Sequence, residues 1–239
     1  MSPASAPPLE ATFAPVRSQT VSEETIERIG TAIKLGLLEP GQRLPAERDL
    51  CLQLGISRST LRQALSWLAR RGYLRATRGR GGGTFVAAFP PRIEPPLAEL
   101  LAGWREACDA RMAVELGVAA LAAERARGET LDELDALVEA MDEMLEDFDA
   151  YRQADVQLHI SLARSTGSRR LVAMATGAHG VLADLDEHIS HPPEQLARAN
   201  GQHRRLLAAI RERDAPRATT VMAEHLRFTE HLLEDLVVR

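Results

Sequence analysis

The chain has 239 residues, of which 45% are hydrophobic, 4% aromatic and 26% charged, and its formal net charge is −5. That length allows one large or two ordinary domains, each with its own core, and a composition led by Ala, Leu, Arg and Glu favours helix. No apolar run approaches the roughly 18 residues of a membrane span, no basic segment followed by an apolar one opens the chain as a secretory signal would, and Cys51 and Cys108, in separate helical patterns, fit a reducing cytoplasm better than a disulfide framework or a zinc finger.

Residues 1–18 are rich in Pro, Ala and Ser without a sustained period, and are expected to be a disordered tail. Thr20-x-x-Glu23 is a capping box. Ile26, Ile29, Ile33 and Leu37 mark the buried stripe of a first helix expected to end near Leu38. Pro40-Gly41 then turns the chain into Leu44–Leu65, the stretch around which the rest is organised. There Pro45 suits a first helical position, Gly55 supplies a stop and Ser57 is an N-cap. In the helix after Ser57, Leu61, Ala64, Leu65 and Leu68 recur at i, i+3, i+4 and i+7 and predict one buried face. Its other faces carry Arg58, Ser59, Thr60, Arg62, Gln63 and Ser66, which offer donors for phosphates and a fork for guanine with little negative charge, as a helix in a major groove requires.

Gly72 closes that helix, and Tyr73–Thr77 and Thr84–Ala87 read as short strands around Arg78-Gly-Arg-Gly-Gly-Gly83. Glycines let this tip approach a backbone, and its arginines make it positive. A nucleotide-phosphate loop would need a following Lys-Ser/Thr and a helix start, and neither is present. Three helices and a basic hairpin predict a winged helix-turn-helix. Charge agrees: residues 18–90 hold 11 Lys and Arg against 6 Asp and Glu, whereas residues 91–239 hold 17 against 27. Such asymmetry suits a nucleic-acid module joined to something else.

Pro90-Pro91 and Pro95-Pro96 cannot continue a helix, so a Pro-rich linker is expected over residues 89–96. From Leu97 onward the pattern predicts about six helices, over 97–127, 130–148, 150–166, 168–189, 193–212 and 215–238. Thr130-x-x-Glu133 is a second capping box, followed on one side by Leu134, Leu137, Val138, Met141, Met144, Leu145 and Phe148. The expected fold class is mainly α: an N-terminal winged helix-turn-helix with a small β-hairpin wing, and a C-terminal all-α helical bundle. Within the bundle Asp155 and His159 share one helix face, where they can share a metal or simply stabilise the helix. Two later helices offer His203, beside Leu206, Leu207 and Ile210, and His225, framed by Val221, Met222 and Phe228. Imidazole and carboxylate together suit a first-row divalent ion, although a lone inward His is usually a hydrogen-bonded core residue.

The run from Gly30 through Pro40-Gly41-Gln-Arg-Leu-Pro-Ala-Glu-Arg48-Asp-Leu50, with Leu54-Gly-Ile-Ser-Arg58-Ser-Thr-Leu-Arg62-Gln-Ala-Leu65 and Arg80-Gly-Gly-Gly-Thr-Phe-Val86, resembles the N-terminal domain of GntR-family bacterial transcription regulators. The resemblance covers about residues 19–88 and implies DNA contacts from Arg48 on the supporting helix, Ser57, Arg58, Thr60 and Arg62 on the recognition helix, and Arg78 and Gly79 at the wing. The family often has Glu where this chain has Gln63. Arg111-x3-Glu115 with its Ala-rich sequel, Asp155-x3-His159, His203 before Leu-Leu-Ala-Ala-Ile, and His225 resemble the FCD-type ligand-binding domain of the FadR subfamily. Its metal-binding members hold an ion with one Asp and three His, which implies a divalent metal at Asp155, His159, His203 and His225, zinc in the first place with nickel or manganese as alternatives. A small organic acid effector would fill the open positions, with Arg111 as a second clamp unless it is spent on Glu115. His179, His188, His191 and His231 match nothing in that pattern and read as surface or loop residues.

The expectation is therefore a regulator and not an enzyme: a cytoplasmic, homodimeric repressor that binds double-stranded operator DNA through residues 19–88, senses its effector and dimerises through residues 97–239, and has no membrane partner. Two other readings stay open. One is a constitutive DNA-binding protein with structural histidines; the other is a metal-dependent hydrolase, which lacks an evident general base and leaves the winged helix unexplained.

Overall fold

The computed structural model describes residues 20–91, 96–186, 188–189 and 191–237. The expected tail over 1–18 lies outside the described residues, as do residues 92–95 of the expected linker.

Helix α1 spans Val21–Lys34, and its Thr20 capping box forms in both directions. It stops four residues short of Leu38. Gly36 sits in the left-handed region at φ 71°, a conformation that ends helices and that a side chain would strain. The early stop turns Leu35 away from its own stripe and into the core of the C-terminal helices.

Helix α2 spans Glu47–Leu54 with Ala46 as N-cap, so Pro45 precedes the helix rather than opening it. The reason is local pairing: Arg43 bridges Phe85, and the Leu44 N–H donates to the Thr84 carbonyl at 2.9 Å, which keeps this approach strand-like. Gly55 stops α2 in the left-handed region as expected. Helix α3 spans Arg58–Arg70, and Ser57 Oγ accepts from the Thr60 N–H at 3.1 Å. Strands β1 (Leu74–Thr77) and β2 (Gly83–Val86) pair antiparallel from Leu74 opposite Val86 to Thr77 opposite Gly83. Each begins one residue from the expected position. Tyr73 falls outside because its N–H donates back to Leu68. Ile29, Ile33, Leu44, Leu61, Leu65, Leu68, Leu74 and Val86 form the core of this head.

Among the described residues seven helices follow, where about six were expected: α4 (Leu97–Ala102), α5 (Trp104–Arg125), α6 (Gly128–Ala140), α7 (Phe148–Ser165), α8 (Arg169–Asp186), α9 (Pro193–Arg211) and α10 (Ala215–Val237). The expected first helix divides at Gly103, whose ψ of 10° departs from helical geometry. Helix α6 begins two residues before Thr130, so the second capping box does not form; Arg127 is the N-cap and the ladder opens with Leu131 N–H to Arg127 O. After Ala140 a 3-10 turn, Met141–Met144, takes the place of the last part of the expected helix. Asp147 then caps α7 through the Ala150 N–H.

Helix α5 is the centre of the bundle and packs on α7, α8, α9 and α10. Its small buried residues Ala119, Ala122 and Ala123 allow that crowding. The head rests on the bundle through α1 and α8. Lys34 Nζ reaches the Gly180 carbonyl at 2.9 Å and Asp184 Oδ1 at 2.6 Å, and Gln153 Nε2 donates to the Gly36 carbonyl at 3.1 Å. A Cβ at Gly180 would come within 2.5 Å of the Thr31 methyl, so a larger residue there would push α1 away.

Candidate metal centre and nucleic-acid interface

The residues expected to face DNA are placed by simple helix geometry. With Leu61, Ala64, Leu65 and Leu68 buried, Arg58, Arg62, Gln63 and Ser66 are turned outward on α3. Ser57 and Thr60 are tied to each other at the N-terminus by a hydroxyl contact of 2.8 Å. Arg48 is exposed at the start of α2, and Arg62 Nε donates to Glu47 Oε2 at 2.8 Å, which ties the two helices together across the motif. Arg78 and Gly79 stand exposed at the hairpin tip, as does Arg80. Arg43 braces that tip: its Nη2 donates to the Gly82 carbonyl at 2.7 Å, and its guanidinium lies 6.0 Å from the Phe85 ring. Sequence reasoning did not single out Arg43, because nothing in its spacing reveals a contact 39 residues away.

Three helices bring the second set of residues together. Asp155 and His159 project from α7, His203 from α9 and His225 from α10, and one ligand atom from each lies within 4.8 Å of the others. His159 and His203 are 0% exposed, His225 is 1% exposed, and Asp155 keeps a side-chain exposure of 20%. His203 Nε2 stands 3.2 Å from Asp155 Oδ1 and 3.4 Å from His225 Nε2, while His159 Nε2 is 3.9 Å from the same Asp155 oxygen. Gln202 Oε1 accepts from His225 Nδ1 at 3.1 Å. Burial and the neighbouring His203 and His159 hold the His225 imidazole well below its usual range, and burial also lowers that of His203. Burial would raise the Asp155 carboxyl, but its contact with His203 and the other imidazoles keep it low. His203 and His225 thus present neutral nitrogens beside an ionised Asp155 oxygen, the states in which these side chains ligate metals, whereas at His159 burial is outweighed by the Glu115 carboxylate, which raises the imidazole.

The donor set fits a divalent ion. His159 Nε2 and His203 Nδ1 are buried without a hydrogen-bond partner among the described residues. The first of them faces Asp155, a direction in which a cation would satisfy it. Nitrogen-rich sets of this kind suit zinc, nickel and their neighbours better than magnesium or calcium.

A cavity adjoins the cluster, lined among others by Arg111, Tyr151, Asp155, Asp186 and His225. Arg111 is thus beside the site, and its Nε donates to Glu115 Oε1 at 3.1 Å, the ion pair expected as the alternative to a clamp. The reading of the remaining histidines needs one correction. His188 and His231 are exposed, and His191 stacks on Phe148 with ring centroids 3.8 Å apart. His179 is instead buried, and its Nε2 contacts Glu115 Oε1 at 2.8 Å. It lies on the buried stripe Ala175, His179, Leu182, Ala183, whose i, i+4, i+7, i+8 spacing was the available signal. Glu115 was named only as a possible partner for Arg111; its Oε2 also meets His159 Nδ1 in a short contact.

Comparison with known proteins agrees with both halves. Residues 21–86 match the family described as bacterial regulatory proteins, gntR family, and residues 106–228 match the FCD domain. A Mycobacterium gastri protein named as the HTH-type transcriptional regulator RmpR is 33% identical over 91% of this chain and 82% of its own length. An Escherichia coli protein named as an L-lactate dehydrogenase operon regulator is 33% identical over 89% of this chain and 86% of its own. Among solved structures, E. coli McbR/YncC shares the fold with a TM-score of 0.55 and 20% identity, covering 92% of this chain and all of that one. These relatives are transcription regulators, not enzymes.

Proposed function

The chain belongs to the gntR family of bacterial regulatory proteins and carries an FCD domain, and from that premise we propose that it is a repressor of the FadR subfamily whose hold on operator DNA is set by a small carboxylate read at a metal ion. Residues 19–88 are its DNA-binding head and residues 97–239 its effector-binding and dimerisation part. Two copies grip a two-fold symmetric operator, in the cytoplasm. Within each head the guanidinium forks of Arg48, Arg58 and Arg62 serve guanine and phosphate, Ser57, Thr60 and the Gly79 backbone fix the register, and Arg78 adds positive charge at the wing.

The observation that carries the sensor reading is the convergence of Asp155, His159, His203 and His225 with a buried, unpartnered nitrogen on His159. Leaving such a nitrogen unsatisfied costs about 1–3 kcal/mol. The bundle buries it nonetheless, and a cation would complete the group. Zinc heads the candidates, followed by nickel and manganese. Bound there, the ion supplies positive charge and open positions for a carboxylate.

Asp155, Asp186, Arg111 and Arg152 line the adjoining cavity, and Arg111 is also paired with Glu115. Two carboxylates thus face two guanidiniums, and a bound ion would supply the net positive charge that favours a carboxylate. The name of the E. coli relative points to 2-hydroxy acids as the first class to try. Purified protein should contain close to one equivalent of divalent metal per chain by elemental analysis, and His159→Ala or His203→Ala should lose it. A wild-type protein that holds no metal after reconstitution with zinc, nickel or manganese would leave the histidines structural and the sensor reading wrong.

A further inference from the structure

Glu115 is the most densely contacted carboxylate among the described residues of the bundle interior, and the proposed function does not use it. It stands on α5 with 1% exposure and receives donors from three helices. Arg111 Nε and His179 Nε2 both donate to Oε1, at 3.1 and 2.8 Å, and His159 Nδ1 donates to Oε2. A carboxylate has no proton to give, so the His159 proton resides on Nδ1. Its lone pair is then on Nε2, the nitrogen that has no partner and faces Asp155.

We propose that Glu115 is a positioning residue for the histidine cluster: it fixes the His159 tautomer that aims an unprotonated Nε2 into the site, and Arg111 locks Glu115 in the orientation that does so. This rests on the metal reading above for its purpose, but the tautomer itself is a property of the metal-free chain. Gln202 does the same for His225, whose Nδ1 donates to Oε1. The alternative use of Glu115, His159 and His179 is as ligands of a second ion, since their ligand atoms also lie within 4.8 Å of one another. The Arg111 guanidinium already occupies that side of the carboxylate, so a second cation would meet a permanent positive charge. One ion per chain is expected, not two.

The lock gives an unusual prediction for Glu115→Gln. A Gln offers one carbonyl oxygen and one NH2 in place of two equivalent oxygens. Arg111 can only donate, so the carbonyl must stay on the Oε1 side, and the NH2 is forced toward His159 Nδ1. That nitrogen then has to accept, its proton moves to Nε2, and the ligand lone pair is lost from the site. His179 could meet the opposite amide orientation by changing its own tautomer, but Arg111 could not. Removing the lock as well, in Arg111→Met/Glu115→Gln, frees the amide to turn its carbonyl back to His159.

The test uses the full-length metal-free protein, with imidazole nitrogens read by two-bond 15N–1H NMR correlation at mildly alkaline pH, and cobalt(II) affinity measured separately by its absorption spectrum. Wild type should show His159 protonated on Nδ1, Glu115→Gln on Nε2, and the double variant on Nδ1 again. Cobalt affinity should fall by about 10- to 100-fold in Glu115→Gln, the usual cost of losing a partner behind a ligand, and recover in the double variant. A role confined to packing would lower stability without inverting the tautomer or giving rescue. His159 remaining Nδ1-protonated in Glu115→Gln overturns the proposal, as does saturation at two cobalt ions per chain. If wild type binds no cobalt while the tautomers behave as stated, the positioning role stands and the metal reading fails.

Discussion

The recognition face and the histidine cluster are opposite solutions to presenting polar side chains. On α3 the functional residues stand in solvent, supported by a buried apolar stripe on the other side of one helix. In the bundle they are inside, drawn from α7, α9 and α10 and surrounded by packed Leu, Val and Ala. An exposed guanidinium can be changed with little effect on the fold, and its energy depends on salt. A buried imidazole is tied to its neighbours, and its loss is felt by everything that shares its hydrogen bonds. The exposed set is therefore separable residue by residue, whereas the buried cluster behaves as a unit.

That contrast can be broken most forcefully inside. His159→Ala or His203→Ala should abolish the rise in melting temperature that added metal gives wild type; at a thousandfold excess over Kd that stabilisation is about 4 kcal/mol by mass action. A metal-induced shift of wild-type size in either variant would show that the cluster is not the binding site. Next in size, Arg62→Ala should cost about 1–3 kcal/mol of operator affinity in a salt-controlled titration and relax base preference at one position. Unchanged operator binding would remove Arg62 from the interface. Arg78→Ala should weaken binding to all sequences alike and lower the salt slope by about one, as loss of a phosphate contact does. A change in sequence preference instead would make the wing a base reader.

The smallest effect is expected where the two regions meet. Lys34→Ala removes contacts to Asp184 and the Gly180 carbonyl, but the pair is partly in solvent, with side-chain exposures of 33% and 18%. Partly screened pairs of this kind contribute about 1 kcal/mol or less to stability. Calorimetry should register that loss with operator affinity nearly unchanged. Gly180→Val is a sharper probe of the same contact, because its side chain would drive into Thr31.

The same contrast decides what could be read from the sequence. The recognition face lies within one continuous stretch, so Ser57, Leu61, Ala64, Leu65 and Leu68 disclosed both the cap and the buried stripe without any tertiary knowledge. The cluster lies 70 residues apart along the chain, from Asp155 to His225, and only Asp155 and His159 are linked by spacing. Family resemblance supplied the rest. What neither supplied was the layer behind the ligands. Glu115 sits in an Ala-rich helix and His179 in an otherwise apolar stripe, and only packing shows that both face His159. Local punctuation misled at two points: the pairing of Leu44 with Thr84 keeps the approach to α2 strand-like, and the Thr130 capping box gives way to a helix that starts earlier.

The central claim is that a carboxylate controls DNA binding through the metal. Operator affinity should be measured at fixed salt for metal-loaded and chelated wild type, with and without a panel of small 2-hydroxy acids, and for His159→Ala under the same conditions. At least one acid should weaken operator binding of the metal-loaded protein, and by linkage operator DNA should weaken that acid's binding by the same factor. Chelated wild type and His159→Ala should not respond. Equal weakening with and without metal, or none with any acid while metal is bound, would contradict the account.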